Sequence, residues 1–412
     1  VNSETPKIKA RIGYLIPEFP GQTHIWMWRE ICHMREWGTQ IVIFSTKHPP
    51  KDVLARHSFA QSALEETIYL WSKPFTHMIA VLLWALLTRP WGLLQAIRLS
   101  LTFETEDRPR WRSNLPLVVV ACILARSAVQ EKIEHLHSHS CAKSAILAML
   151  LECLTGIPYS LTLNANIEWW GGAMAEKFHR AKFTIAITQW LLDQMKRDYP
   201  NLKAEQAILG RIGVDTKKWL PDAKSQQVER EIPQLIAVGR LHPSKGYDVL
   251  IQSVKALLDA EQPVKLMLIG EGPERQVLES LVKELDLLDA VEFTGSLAED
   301  GIIERMKQAD IFVLASHREP LGVVSMEAMA MEVAAIATDA GGVPEIITDG
   351  TDGLLVLPNN VSALTEAIGR LIENREFRRK LAAKGRQTIL ERFDSRIGAA
   401  TLYQKLFGDL PV

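Results

Sequence analysis

Residues 234–251 read QLIAVGRLHPSKGYDVLI. An apolar run over 234–239 ends on glycine, a short turn carries Arg240 and Lys245, and a helical pattern begins near Tyr247. Strand, tight turn and helix in that order form the repeating unit of an α/β protein. The unit recurs on both sides. Downstream, strands are expected at 264–270, 291–295, 311–316 and 335–338, each followed by a helical stretch or a glycine-rich turn. Upstream they are expected at 11–16, 40–45, 66–70, 133–138, 159–163 and 183–187. A helix over 25–37 has Gly38 as its stop. Residues 73–124 read as mostly helical, broken near Pro90, Pro109 and Pro116.

Between the two series lies a polar stretch containing DAKSQQVER. The expected organisation is therefore two Rossmann-like domains, 1–215 and 234–394, joined by a linker, 216–233. A C-terminal helix, 395–412, is free to cross back to the first domain. Two such sheets are expected to face one another across a cleft, and ligands bind at the carboxyl ends of their strands.

A chain of 412 residues exceeds one ordinary core, which agrees with two domains. At 47% hydrophobic and 23% charged the composition is that of a folded protein. The net charge of -2 gives nucleic-acid binding no global support. Through Asp215, 24 Lys and Arg stand against 19 Asp and Glu; beyond it the balance is 23 against 30. The mildly basic first half is compatible with an anionic partner such as a membrane surface or a phosphorylated lipid. Cys32, Cys122, Cys141 and Cys153 form no C-x-x-C pair, and no secretory leader is read. The expectation is buried thiols in a reducing, cytoplasmic compartment. Uncharged stretches fall short of the roughly 20 apolar residues that a spanning helix needs.

Four blocks carry chemistry. In the opening block, Arg240 and Lys245 beside a helix N-terminus suit a diphosphate, supplying fixed charge and free backbone N–H groups. The alternative is two exposed cations in a solvated turn. In GEGPER, 270–275, Gly270 and Gly272 let backbone approach a ligand closely, and Pro273 suits a first helical turn. As a dinucleotide motif it lacks the third glycine. In SHREPLGVVSMEAMA, 316–330, Glu319 follows a strand and Pro320 fits a first helical position. Glu327 falls about two turns into that helix. A carboxylate accepts from vicinal hydroxyls, and the amides of Leu321, Gly322 and Val323 are placed for phosphate or sugar oxygens. The bland alternative is one capping and one surface carboxylate. The fourth block, TDAGGVPEII at 338–347, sets paired glycines after a strand and Glu345 at a helix start.

Together these blocks resemble the retaining glycosyltransferases of family four, which have the two-Rossmann-domain GT-B architecture. The E-x(7)-E spacing of Glu319 and Glu327 carries the resemblance, with GRLHPSKG before it and GGVPE after it. The resemblance implies that Arg240 and Lys245 bind the donor diphosphate and neutralise the leaving group. It implies that Glu327 holds ribose hydroxyls and that Glu319 contacts the transferred sugar beside the amides of Leu321–Val323. No metal and no cofactor are implied beyond a nucleoside diphosphate sugar as donor substrate; a UDP-sugar is favoured and a GDP-sugar allowed. The first domain is similar to exopolysaccharide-building members, through IPEFPGQTH, HLHSHSCAKSA and GIPYSLTLNANI. Gly21 then sits where the first loop approaches phosphates and acceptor. The acceptor is a saccharide or a lipid-linked saccharide. A nucleotide-sugar epimerase of the same fold, a binding protein without turnover and a dinucleotide oxidoreductase are the rivals.

Two departures from the family pattern stand out. Asn164 occupies a position where the family commonly has a His reaching the donor sugar. After the E-x(7)-E helix, Glu332 and Ala334 replace the usual Gly and Pro. If Glu332 takes positive φ, it is less comfortable there than Gly by about 1 kcal/mol. Two other features invite function. His135, His137 and His139 alternate along one strand, which raises a metal hypothesis, but no acidic ligand lies close in sequence. His139, at the strand's end, is the acceptor-side candidate. Seven tryptophans, Trp26, Trp28, Trp37, Trp71, Trp84, Trp91 and Trp111, crowd the first part of the chain. Buried packing is the bland account. The sharper one is an interfacial segment over 73–103, on the inner face of a membrane, with Lys73, Arg89 and Arg98 as its cations.

Overall fold

A computed structural model of the protein describes residues 10–21, 25–50, 59–71, 74–103, 110–222 and 230–410. Lys73, Pro109 and the side chain of Trp111 lie outside these described residues. The chain forms two compact units: Val1–Arg211 with Ala399–Val412, and Ile212–Gly398. The chain thus returns to the first unit within its last helix, Ser395–Phe407. Residues 216–222 of the stretch read as a linker pack with the second unit, where Trp219 is fully buried.

The first unit holds seven strands: β1 (Arg11–Glu18), β2 (Gln40–Lys47), β3 (Thr67–Tyr69), β4 (His135–Ser138), β5 (Tyr159–Leu163), β6 (Thr184–Ala186) and β7 (Ala207–Leu209). They are all parallel, in the order β3-β2-β1-β4-β5-β6-β7. The second unit holds β8 (Gln234–Val238), β9 (Lys265–Ile269), β10 (Val291–Gly295), β11 (Ile311–Leu314), β12 (Ala334–Thr338) and β13 (Leu354–Val356). Its order is β10-β9-β8-β11-β12-β13, again parallel throughout. Both are the doubly wound order of a Rossmann-like domain, as the strand–turn–helix repeat requires. Helices on both faces explain why β9 (KLMLI) and β11 (IFVL) are apolar runs without alternation.

Helix Ile25–Glu36 ends as expected, with Gly38 at φ +83. β7 and β13 escaped the sequence reading, whereas β3 and β6, equally three residues long, lie inside the longer runs read at 66–70 and 183–187. The helical stretch does break near Pro90 and Pro116: helices end at Thr88 and Ser113 and restart at Pro90 and Leu115, each proline standing in a first turn, where it costs no intrahelical bond. The helix expected to open at Pro320 opens at Val323, with Gly322 as its cap at φ +87. Likewise Pro273 precedes the helix Arg275–Glu284 without entering it. Glu332 does take positive φ, +55, where the helix Val323–Ala330 closes through Val333 N–H to the Ala328 carbonyl at 3.1 Å. A left-handed residue there satisfies the last carbonyls, and a side chain in place of Gly costs about 1 kcal/mol.

Candidate active site

In the second sheet the order reverses between β8 and β11, so the loops leaving these two strands border a crevice at their carboxyl ends. Two of the four blocks singled out in the sequence, those of Lys245 and Glu319, are these two loops. The His317 amide donates to the Ser244 carbonyl at 2.9 Å, tying one loop to the other. Gly246 stands at φ +62, and a Cβ there would fall 2.1 Å from the Ala315 carbonyl oxygen. Only glycine permits both that conformation and that crossing.

The crossing brings Lys245 to Glu319. Lys245 Nζ lies 2.6 Å from Glu319 Oε2, which also accepts from the Ser316 hydroxyl at 3.2 Å. Glu319 is nearly buried at 9% exposure, so this charge-assisted pair holds its carboxylate in one orientation. The loop after β12 braces it from behind. The Gly342 amide donates to the Glu319 carbonyl at 3.2 Å, and a Cβ on Gly341 would lie 2.0 Å from that same oxygen. Thr338 Oγ1 donates to the Ser316 carbonyl at 2.5 Å. The paired glycines of GGVPE therefore position Glu319. Ser316 and Gly341 were not singled out for this role; the adjacency of SH and GG to strand ends was the available signal.

Glu327 is buried one turn into the helix Val323–Ala330, nearer its start than the sequence reading placed it. Gly322 and Leu321 precede this helix, and Val323 is its first residue. Arg240 is exposed directly after β8. Tyr247, which opens the helix Tyr247–Asp259, has its phenol pushed up by burial first and by the Glu319 charge second. It remains a neutral donor at physiological pH. Gly270 and Gly272 have a use other than openness to a ligand: Cβ atoms there would lie 1.8 Å from the Gly239 carbonyl and 2.2 Å from that of Leu241. The GEG loop packs by backbone onto the Arg240 loop, with Leu241 N–H donating to the Glu271 carbonyl at 3.0 Å.

In the first unit, a pocket of about 400 Å³ opens at the carboxyl ends of β1, β2 and β4, between Pro17, Lys47, Lys143 and the Trp169–Trp170 pair. Lys177 underlies it, fully buried, with Nζ 2.6 Å from the Cys141 carbonyl and 3.3 Å from that of Trp170. Burial brings its pKa down to about 8. Gly21 is buried just after β1, and the following Gln22, Thr23 and His24 lie outside the described residues. Asn164 follows β5 and donates from Nδ2 to the His139 carbonyl at 3.1 Å. His139 is itself fully buried, its Nε2 3.0 Å from Glu30 Oε1 and its ring edge-on to Trp26. It does not line the pocket.

Two of the three alternating histidines are tied to the neighbouring strand. His135 and His137 both meet the Ser160 hydroxyl, at 2.7 and 2.8 Å, and His137 Nε2 meets Thr162 Oγ1 at 2.9 Å. Burial lowers both pKa values, holding the rings neutral, His135 at about 3. Among the described residues, Glu30, His137 and His139 bring three potential ligand atoms within 4.8 Å of one another. Both nitrogens of His137 are already hydrogen-bonded, and Glu30 Oε1 accepts from Tyr14 at 2.9 Å. Internal hydrogen bonds thus occupy His137 and Glu30, whereas neither ring nitrogen of the buried His139 has a hydrogen-bond partner among the described residues.

Two Rossmann-like units, the second with two carboxylates and a lysine at its switch point, place the chain in the GT-B fold class. Residues 221–388, most of the second unit, match the family model described as glycosyl transferases group 1. A GDP-mannose-dependent α-(1-6)-phosphatidylinositol monomannoside mannosyltransferase of Mycolicibacterium smegmatis is 30% identical over 48% of this chain. The aligned part spans 55% of that relative, about half its length. An α-maltose-1-phosphate synthase of the same organism is 28% identical over 71% of this chain and 84% of its own. Among solved structures, a sucrose-phosphate synthase from Thermosynechococcus elongatus superposes with a TM-score of 0.74 at 20% identity, covering 97% of this chain and all of that one. Anabaena HepE, solved with UDP and glucose, gives 0.74 at 17% identity over 96% and 99%. At these identities the structures speak for the fold.

Proposed function

We propose that the protein is a retaining, metal-independent glycosyltransferase. It would move a hexose from a nucleoside diphosphate sugar to a saccharide or lipid-linked saccharide. The observation that carries this reading is the pairing of Lys245 with Glu319 at the β8/β11 switch point, next to exposed Arg240 and ahead of the helix that bears buried Glu327. Arg240 and Lys245 would bind the diphosphate and take up the charge that develops on the leaving oxygen. Glu327 would accept from the ribose hydroxyls. Glu319, fixed by Ser316 and Lys245, would accept from a hydroxyl of the transferred sugar.

The bond from the anomeric carbon to the phosphate oxygen breaks as the acceptor oxygen bonds to the same face. The acceptor's proton passes to the departing phosphate oxygen, so the chain need supply neither a nucleophile nor a metal. The pocket between Lys47, Lys143 and Trp169 is the acceptor-side candidate in the first unit, since aromatic faces and cations suit a sugar carrying an anionic group. A UDP-sugar is the donor carried forward; the mannosyltransferase relative named above makes a GDP-sugar its rival.

Incubation with UDP- and GDP-hexoses and saccharide or lipid-linked acceptors, followed by NMR of the product, tests this reading. A glycoside that keeps the donor's anomeric configuration, formed equally well in chelator, is expected. An inverted product overturns retention. Released nucleotide without a glycoside would favour the epimerase, and binding without any turnover would favour a carrier.

A further inference from the structure

The helices Phe75–Thr88 and Pro90–Ser100 contribute nothing to the site just described, yet they present an apolar surface that is exposed among the described residues. Each has one seated face. Val81 and Ala85 of the first are buried, as are Ala96 and Ser100 of the second. Gly92 lets the second helix press onto the helix Lys143–Thr155, since a Cβ there would fall 2.7 Å from the Cys153 carbonyl oxygen. The opposite faces carry Phe75, Ile79, Leu83, Leu87, Trp91 and Leu94, spaced three or four residues apart and all exposed. Phe75, Leu87 and Trp91 are 74%, 79% and 77% exposed. A run of six large apolar side chains in the open marks an interaction surface.

Charge and shape say what covers it. From Pro74 to Phe103 there is no Asp or Glu; the only ionisable groups are His77, Arg89 and Arg98. A second copy of this patch would set arginine against arginine, whereas anionic headgroups complement it. The two helices, of 14 and 11 residues, are each too short to cross a bilayer and meet at a bend of 114°. No single helix among the described residues is long and apolar enough to cross a membrane. Two short helices at a wide angle, with Trp91 near the bend and arginines at intervals, suit a shallow seat in the interfacial layer.

We infer that this bent helix pair docks the protein onto an anionic lipid surface, inserting Leu83, Leu87 and Trp91 while Arg98 meets headgroups. Trp84, which the sequence alone made an equal candidate, is half-buried and takes no direct part.

Sedimentation of the full chain with vesicles tests the docking. One set is phosphatidylcholine alone; the other is seven parts phosphatidylcholine to three parts phosphatidylglycerol. The chain should pellet with the mixed vesicles at low salt, at least tenfold more tightly than with the neutral ones, and be released as salt rises. Leu83→Ser/Leu87→Ser/Trp91→Ser should weaken that binding at least tenfold, with an unchanged denaturation midpoint because all three side chains are already exposed. Arg98→Glu should weaken it without touching the apolar face. Equal binding to both vesicle types, no binding to either, or full binding by the triple variant each overturns the proposal. So does a dimer of the unmodified chain that the triple variant abolishes without any vesicle binding, which would assign the patch to a second copy.

Discussion

Lys245 and Glu319 are 74 residues apart in the chain and 2.6 Å apart in space, and the chemistry of the site starts from that pair. A carboxylate held by a lysine and a serine hydroxyl keeps one set of lone pairs directed outward. On the proposed reading, a diphosphate arriving beside Lys245 would meet a charge that is already oriented. Lys245→Ala and Arg240→Ala should each lower turnover by about two to three orders of magnitude, as loss of a positioned charge stabiliser does. Steady-state kinetics should show the loss mainly in kcat, whereas Glu327→Ala should act mainly on donor KM. Near-normal kcat in both lysine and arginine variants would remove them from the leaving-group role.

A second prediction at this scale concerns Lys177, whose pKa of about 8 lies below the ordinary lysine value of 10.5. Between those values the unfolded chain binds the proton and the native one does not, so stability rises with pH there; below about 8 both are protonated and the burial penalty is constant. Relative to Lys177→Met, which titrates in neither state, the natural chain should gain stability from pH 8 to 10.5, by up to about 3 kcal/mol. Denaturant midpoints of the two proteins across that range measure it. A constant difference would mean that the carbonyls of Cys141 and Trp170 keep the ammonium charged throughout.

At the scale of elements, the site is a junction of loops that approach one another by backbone. Gly246 against Ala315, Gly341 against Glu319, and Gly270 against Gly239 are contacts in which a methyl group has no room. Gly246→Ala and Gly341→Ala should each cost about 1–3 kcal/mol, from positive φ and from displaced loops. They should also lower kcat, because either shift moves Glu319 away from Lys245. Chemical denaturation and kinetics on the same variants separate the effects. Lost stability with unchanged kcat would show that the loops reach the working geometry without those glycines. The recurrence of strand, turn and helix was legible in the chain because each element is coded by neighbouring residues. The three-residue β7 and β13 were not, although β3 and β6, as short, were legible within the longer runs that contain them. The glycines were visible as turn residues, but what each one made room for was not.

On the scale of the whole molecule, net charge is -2, and Gly21 and Asn164, expected to approach the donor, lie in the first unit, while Arg240, Lys245, Glu319 and Glu327 lie in the second. A ligand there stabilises the native state by its binding free energy, about 2.7 kcal/mol at a hundredfold excess over Kd. A panel of UDP-, GDP-, ADP- and dTDP-sugars should therefore raise Tm for the cognate nucleotide. Hydrogen exchange should show protection centred on the loops after β8 and β11. Protection confined to the first unit would place the nucleotide elsewhere.

The chain's own residues determined the α/β class, the two series of strands and the blocks that hold Arg240, Lys245, Glu319 and Glu327, because these are local patterns: a run, a turn, a spacing of eight. Tertiary structure alone decided the partners. It set Lys245 on Glu319, turned Gly270 and Gly272 toward another loop's backbone, and drew His139 into the interior against Glu30. It also buried half of Trp84 while leaving Trp91 in the open. The reason is physical. Which face of a strand end or helix is covered depends on elements dozens of residues away, and nothing in a residue's immediate neighbours records which of them it will meet.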